Sequence, residues 1–121
     1  MNIRDLSIGD WVMAGGAPHR VFSVNHYGVL VDTSQGLHPY NLEFLSPIPL
    51  TPEILEKNGF SHNGRKWYTP ELFTLERWGD VWSIVIACSC GEYVCEVCTI
   101  KYVHQLQHAL RLLKVDKDII L

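Results

Sequence analysis

Four cysteines near the C-terminal end are the residues whose type and spacing best match a metal site. They form two pairs, Cys88-x-Cys90 and Cys95-x-x-Cys98. Two such pairs hold a tetrahedral zinc ion in many small domains, but zinc knuckles favour two residues inside each pair, and the first pair has one. We therefore favour buried thiols, since free cysteine packs as a small apolar side chain. Zinc binding and a disulfide are the alternatives, and no other cofactor is expected.

Two histidines lie four residues apart in His104-Gln-Leu-Gln-His108, which places them on one face of a helix. The spacing is that of the His-Glu-x-x-His zinc hydrolases, in which the glutamate is the general base. Gln105 takes that position here and cannot accept a proton, and no third ligand is evident. We interpret the two histidines as solvated residues on the polar face of a helix.

A third group consists of aromatic and histidine residues of the N-terminal half, of which Tyr27 and Tyr40 lie at predicted turns or strand ends. Its members are Trp11, His26, Tyr27, His38 and Tyr40. Aromatic side chains in such positions often bind peptides or nucleic acids. The alternative is that Trp11 and one tyrosine cover a small core. The chain has no Gly-rich phosphate loop, Gly-x-Ser-x-Gly elbow or carboxylate pair, so it predicts a binding protein rather than an enzyme.

Composition and charge narrow the class of protein. The 121 residues are 47% hydrophobic and 19% charged, which is typical of a globular chain. The net charge is −3, and neither half has an excess of basic residues, which counts against broad binding to a phosphate backbone. No apolar run approaches the roughly 20 residues of a membrane span, and the N-terminal residues lack the apolar core of a signal peptide. We expect a cytoplasmic protein with mostly reduced cysteines.

Short strands separated by turns must position the aromatic group. We predict strands near residues 8–13, 20–25, 29–32, 37–40 and 45–48, with a 3₁₀ turn at 41–44. Three features carry a resemblance to SH3-like small barrels over residues 6–49: Ile8-Gly9-Asp10 before the first strand, Gly28 between the second and third, and Asn41-Leu-Glu-Phe44 before the last. The resemblance implies a barrel fold and no particular function.

The second half predicts a short helix, an antiparallel sheet and a terminal helix. Thr51 is a good N-cap, Pro52 suits the first helical position, and Gly59 suits the left-handed residue after the helix. Asn63-Gly64 predicts a hairpin, and β-prone runs at 81–88 and 93–98 predict two further strands. Residues 101–114 have an apolar face at helical spacing, which we expect to pack on this sheet.

Two segments resemble a known group of sequences. They are Leu45-Ser-Pro-Ile-Pro-Leu-Thr-Pro-Glu-Ile-Leu-Glu-Lys-Asn-Gly-Phe60 and Lys101-Tyr-Val-His-Gln-Leu-Gln-His-Ala-Leu110. Both look like short uncharacterised proteins of phages, prophages and mobile elements of Bacteroides-type gut bacteria. The resemblance implies an origin and no activity. The pattern of that group does not require the four cysteines.

The combined prediction is an α+β chain: an SH3-like small β-barrel over residues 1–50, then an α+β subdomain over 51–121 that continues its core. The leading functional hypothesis is a non-enzymatic accessory module of a phage or mobile element that binds a protein partner or a second copy of itself. Nucleic-acid association through the barrel is the alternative. A structural zinc protein based on the cysteine cluster is the third hypothesis, and no membrane partner is expected.

Overall fold

The computed structural model describes residues 5–25, 28–68, 74–87, 94–115 and 117–121. Within these ranges the chain is α+β and mostly strands, with two antiparallel sheets of five strands each, which confirms the predicted class. The chain divides into two compact units. The first comprises Met1–Pro49 and Tyr102–His108, and the second comprises Leu50–Lys101 and Ala109–Leu121.

The first unit contains a meandering sheet with the strand order β4-β3-β2-β1-β5. Its strands are β1 (Trp11–Ala14), β2 (Ala17–Asn25), β3 (Gly28–Thr33), β4 (Gly36–Tyr40) and β5 (Leu45–Ser46). Gly15 and Gly16 form the two-residue turn between β1 and β2, with φ angles of +60° and +80°. Two positive φ angles are what a type I′ hairpin turn requires, so glycine at both positions gives a tight connection.

The core of the first sheet follows the two-residue alternation of its strands. Alternate positions of β1 and β3 are buried, together with side chains from β2, β5 and the segment before β1: Leu6, Val12, Ala14, Val21, Val29, Val31 and Leu45. The predicted 3₁₀ turn is confirmed at Leu42–Phe44. The predicted SH3-like barrel is not confirmed, because the described strands form an open sheet that ends at β4 and β5.

The second unit begins with the predicted short helix α1 (Pro52–Lys57). The Thr51 hydroxyl accepts a hydrogen bond from the Ile54 amide at 3.3 Å, and Gly59 has a φ of +85°. The Phe60 amide donates to the Leu55 carbonyl at 3.0 Å, which closes the C-terminal end of the helix. Both ends of the helix are therefore determined by residues within ten positions of each other.

The second sheet has the strand order β10-β9-β8-β7-β6. Its strands are β6 (Ser61–Asn63), β7 (Lys66–Tyr68), β8 (Thr74–Trp78), β9 (Val81–Ala87) and β10 (Val94–Ile100). The predicted hairpin is confirmed, but its turn is Gly64-Arg65, one residue later than the predicted Asn63-Gly64, because Asn63 pairs with Lys66. The buried apolar side chains of this sheet include Trp67, Leu75, Trp82, Ile84 and Ile100.

Helix α2 (Val103–Leu112) is shorter than the predicted 101–114 and contributes residues to both units. The Gln105 side chain accepts a hydrogen bond from the Tyr102 amide at 3.1 Å, which is half of a capping box. At the other end Lys114 has a φ of +56° and the Val115 amide donates to the Leu110 carbonyl, as in a Schellman motif. Among the described residues, no helix has the length and apolarity needed to span a membrane.

Candidate binding cleft and a buried polar cluster

A cleft of about 520 Å³ opens on the first sheet, where β3 and β4 meet the 3₁₀ turn. Aromatic, proline and amide side chains predominate in its lining, together with two glycines: Gly15, Asn25, Gly28, Val29, Leu30, His38, Pro39, Tyr40, Asn41 and Phe44. None of these residues is Lys, Arg, Asp or Glu. We call this group the aromatic cleft.

The aromatic side chains of the cleft come from the end of β4 and from the 3₁₀ turn. The His38 and Tyr40 rings lie 4.9 Å apart between centroids and are inclined at 52°. Phe44, the last residue of the 3₁₀ turn, is 63% exposed. An exposed phenylalanine beside two such rings is a surface on which an apolar side chain of a ligand can pack.

Two glycines allow the chain to come close to Tyr40. A Cβ atom at Gly15 would lie 2.7 Å from the Tyr40 hydroxyl oxygen. A Cβ atom at Gly28 would lie 2.4 Å from the Tyr40 carbonyl oxygen, and the Gly28 amide donates to the Asn25 side-chain oxygen at 3.1 Å. Any larger residue at Gly28 would displace the backbone that carries Tyr40.

The structure brings together only part of the predicted aromatic group. His38 and Tyr40 share the cleft, whereas Trp11 lines a separate hollow of about 330 Å³, where the Arg20 guanidinium lies 4.6 Å from its ring centroid. His26 and Tyr27 lie outside the described residues. Phe44 also lines the cleft and is not among the predicted site residues, although an aromatic residue just before a predicted strand was the available signal.

The predicted zinc site lies largely outside the described residues. Cys88 and Cys90 are not described, and Cys95 and Cys98 are described only as backbone positions of β10, on either side of an irregularity in its pairing with β9. Among the side chains that the structure does describe, no group of three or more His, Cys, Asp or Glu residues is placed to hold a metal ion. Zinc binding by the cysteines stays a prediction.

A buried polar cluster joins helix α2 to the segment that precedes β1. Asp10 is completely buried, and its Oδ2 atom lies 2.6 Å from His108 Nε2 and accepts a hydrogen bond from the Ser7 amide at 2.8 Å. The Gln107 side chain accepts from the Trp11 amide at 2.9 Å and donates to the Gly9 carbonyl at 3.0 Å. Gln107 therefore supplies hydrogen-bond partners to backbone groups on both sides of Asp10.

The interpretation of His104 and His108 as solvated residues is wrong for His104. His104 and Gln107 are each only 5% exposed, and the His108 side chain is 31% exposed. The physical reason is that Gln107, on the same face of the helix, supplies hydrogen bonds to the buried backbone on both sides of Asp10, so this face lies against that segment and His104 is buried with it. An exposed polar face and a buried polar face have the same sequence spacing.

Among the described side chains of this cluster, His104 alone has a buried polar atom without a hydrogen-bond partner. That atom is Nδ1. Its ring stacks on Tyr102 at 5.9 Å and meets the His108 ring edge-on at 5.7 Å. Burial lowers the pKa of His104 below its usual 6.5; nearby Asp10 opposes this effect and His108 adds to it. The buried imidazole is therefore held in its neutral form more firmly than a solvated one.

We expect His104 to make stability depend on pH. Its pKa is lower in the folded chain than in the unfolded chain, so its contribution is complete above about pH 6.5 and is lost as the pH falls towards the folded value. His104→Phe keeps a ring beside Tyr102 and removes this titration. The free energy of unfolding can be measured with urea at pH 7.5 and at pH 5.5, about one unit above and below the usual histidine pKa. It should fall less between these two pH values in the variant than in the wild type. Equal losses in the two proteins would contradict the assignment.

The pairing of Asp10 with His108 resembles the carboxylate–imidazole pair that orients a general base in hydrolases. Such a base acts on a nucleophile within hydrogen-bonding distance. No hydroxyl or thiol of a described side chain is hydrogen-bonded to the His108 ring. The described contacts therefore indicate a structural role for the pair, which attaches helix α2 to the segment before β1.

No family model, curated protein or solved structure matches this chain. Its function therefore has to be inferred from its own geometry. The aromatic cleft has the size and lining of a binding site, since ligand sites are concave, mostly apolar and about 300–1,000 Å³ in volume.

Proposed function

We propose that this protein is a non-enzymatic interaction module that binds an extended segment of a protein partner in the aromatic cleft. The observation that carries the proposal is the exposure of Phe44 beside Tyr40 and His38 in a cleft of about 520 Å³. Aromatic side chains in an open groove bind peptides well because they supply a large contact area and lose little conformational freedom.

The lining of the cleft defines the chemistry of the segment that fits it. None of the described lining residues is Lys, Arg, Asp or Glu, which disfavours a strongly charged ligand, since a buried charge would find no partner among them. The side chains of His38 and Asn41 offer hydrogen bonds to a peptide backbone. We therefore expect an uncharged segment with apolar or aromatic side chains, from another protein or from a second copy of this chain.

We further propose that the first unit is related to SH3-like small barrels and that the protein is a cytoplasmic accessory protein of a phage or mobile element. The strand order, in which β5 returns to pair with β1 after a 3₁₀ turn, supports the first part. The two segments that resemble mobile-element proteins of gut bacteria support the second. Nucleic-acid binding through the cleft is the weaker alternative, because none of the described lining residues is Lys or Arg.

Selection from a displayed library of random peptides tests the proposal. Wild-type protein should enrich uncharged peptides rich in apolar or aromatic residues. The double variant Tyr40→Ala/Phe44→Ala should weaken their binding by about 30-fold or more, because truncation of anchor residues costs about 2 kcal/mol or more. Phe22→Ala is the matched control, since Phe22 is an aromatic residue of the same sheet that is 53% exposed and does not line the cleft.

Two results would count against the proposal. One is the failure of folded wild-type protein to enrich any peptide. The other is binding of the enriched peptides to the double variant as tightly as to Phe22→Ala, with both variants folded by circular dichroism.

A further inference from the structure

The second sheet carries a row of exposed cationic and aromatic side chains at its hairpin end. We call it the basic–aromatic strip and define it as Arg65, Lys66, Tyr68 and Trp78. Trp67 on β7 and Leu75 on β8 are buried, so the alternation of the strands places Lys66, Tyr68 and Trp78 on the opposite face. Trp78 is 53% exposed and Tyr68 is 43% exposed.

Arg65 connects the cationic and aromatic parts of the strip. Its guanidinium carbon lies 5.1 Å from the centroid of the Trp78 ring, within the range of a cation–π interaction. This contact orients the indole while more than half of the Trp78 surface stays exposed. The strip therefore has an oriented ring with a positive charge beside it.

The charges of the strip are available to a ligand. Neither Arg65 nor Lys66 forms an ion pair with a carboxylate among the described residues. The hairpin over residues 61–68 contains no acidic residue, although Glu76 pairs with Lys66 across the strands and Asp80 lies in the next turn. The two cations of the strip are matched in number by these two carboxylates, in a chain whose net charge is −3. A ligand of the strip can therefore contact Arg65 and Lys66 through only one or two anionic groups.

The two exposed rings are separated along the strands. Tyr68 pairs with Thr74, which is four residues from Trp78 on β8, a distance of about 13 Å along the strand. Lys66, opposite Glu76, lies between the two rings. Planar groups at both ends with a cation between them match a ligand that alternates flat rings with anionic groups.

We propose that the basic–aromatic strip binds single-stranded nucleic acid over a few nucleotides, with bases stacked on Trp78 and Tyr68 and phosphates near Arg65 and Lys66. A single strand exposes the faces of its bases, whereas a duplex conceals them. An acidic peptide would satisfy the two cations but would leave the exposed rings without matching planar groups. This site is on a different unit from the aromatic cleft and does not rest on the function proposed for the cleft.

Binding of a fluorescently labelled oligothymidylate of about 12 nucleotides, followed by anisotropy, tests the proposal. Trp78→Ala should weaken binding by about tenfold, because one stacked base is lost. Arg65→Gln/Lys66→Gln should weaken binding and reduce its salt dependence, since contact with two phosphates corresponds to a log–log slope of about −1.4. Phe22→Ala is the matched control for loss of an exposed aromatic residue, because Phe22 is 53% exposed and lies in neither proposed site, and it should bind as the wild type does.

Several outcomes would overturn the proposal. They are the absence of binding by folded wild-type protein at about 50 mM salt, equal binding by wild type and the Arg65→Gln/Lys66→Gln variant, and competition by polyglutamate as effective as that by unlabelled oligothymidylate. The Arg65→Gln/Lys66→Gln variant replaces exposed residues in and next to a turn. It therefore still tests the proposal if Trp78→Ala perturbs the fold. Loss of binding in Phe44→Ala would place the nucleic acid in the cleft instead.

Discussion

Replacing Asp10 by alanine is expected to lower the free energy of unfolding by about 3 kcal/mol. The carboxylate is completely buried, and its Oδ2 atom contacts both the Ser7 amide and His108 Nε2. Without it, a buried amide and an imidazole lose their partner, and water cannot reach the site without a rearrangement of the surrounding segment. The cost is therefore larger than the net value of one hydrogen bond.

Urea unfolding measures this loss, and two variants make the interpretation specific. Asp10→Asn keeps an oxygen that can accept from the Ser7 amide and should lose less stability than Asp10→Ala. Glu43→Ala removes an exposed carboxylate of the same unit and should change stability by no more than about 0.5 kcal/mol. If Asp10→Ala were as stable as Glu43→Ala, the polar cluster would not hold the helix to the segment before β1.

Replacing Trp82 by alanine is expected to destabilise the second unit by about 4 kcal/mol. Trp82 is 1% exposed, and its indole N–H donates to the Leu50 carbonyl at 3.2 Å. Its ring also meets Trp67 edge-on at 6.2 Å, and the Arg77 guanidinium lies 5.3 Å from its centroid. Alanine would leave a large cavity and an unpaired carbonyl.

Thermal and urea unfolding of Trp82→Ala can be compared with Trp78→Ala, which removes the same side chain from an exposed position of the same sheet. We expect Trp78→Ala to lose less than about 1 kcal/mol. Trp82→Phe should be intermediate, because it keeps most of the packing and loses the hydrogen bond to Leu50. Similar losses for the two tryptophan-to-alanine variants would show that burial of Trp82 is not what stabilises the unit.

Helix α1 and the hairpin near Asn63-Gly64 could be predicted because their determinants are local. The Thr51 hydroxyl accepts a hydrogen bond from an amide only three residues away, and Gly64 supplies the positive φ angle that a tight turn needs. The capping of α2 by Gln105 is equally local, although the resemblance to zinc hydrolases draws attention only to the fact that Gln105 cannot act as a general base. In each case the interaction lies within a few residues of sequence.

The candidate site could be predicted only in part. His38 and Tyr40 lie two residues apart on β4, so their proximity follows from the strand itself. Trp11 and Phe44 are both aromatic, and they lie at the start of β1 and just before β5, but Trp11 lines a separate hollow and Phe44 lines the cleft. Which aromatic side chains share a cleft depends on how the strands are ordered, and each strand pattern is compatible with several orders.

The α+β class, the approximate positions of most described strands and the ends of α1 follow from the amino-acid sequence, because alternation, capping and turn chemistry act over a few residues. The burial of His104 and Gln107 on the polar face of α2 follows only from the folded chain. Asp10 and His108 are 98 residues apart, and nothing in the spacing of His104, Gln107 and His108 distinguishes a face that meets water from one that meets a buried carboxylate. A polar group satisfies its hydrogen bonds equally well in both environments, so its partner is known only when the chain is folded.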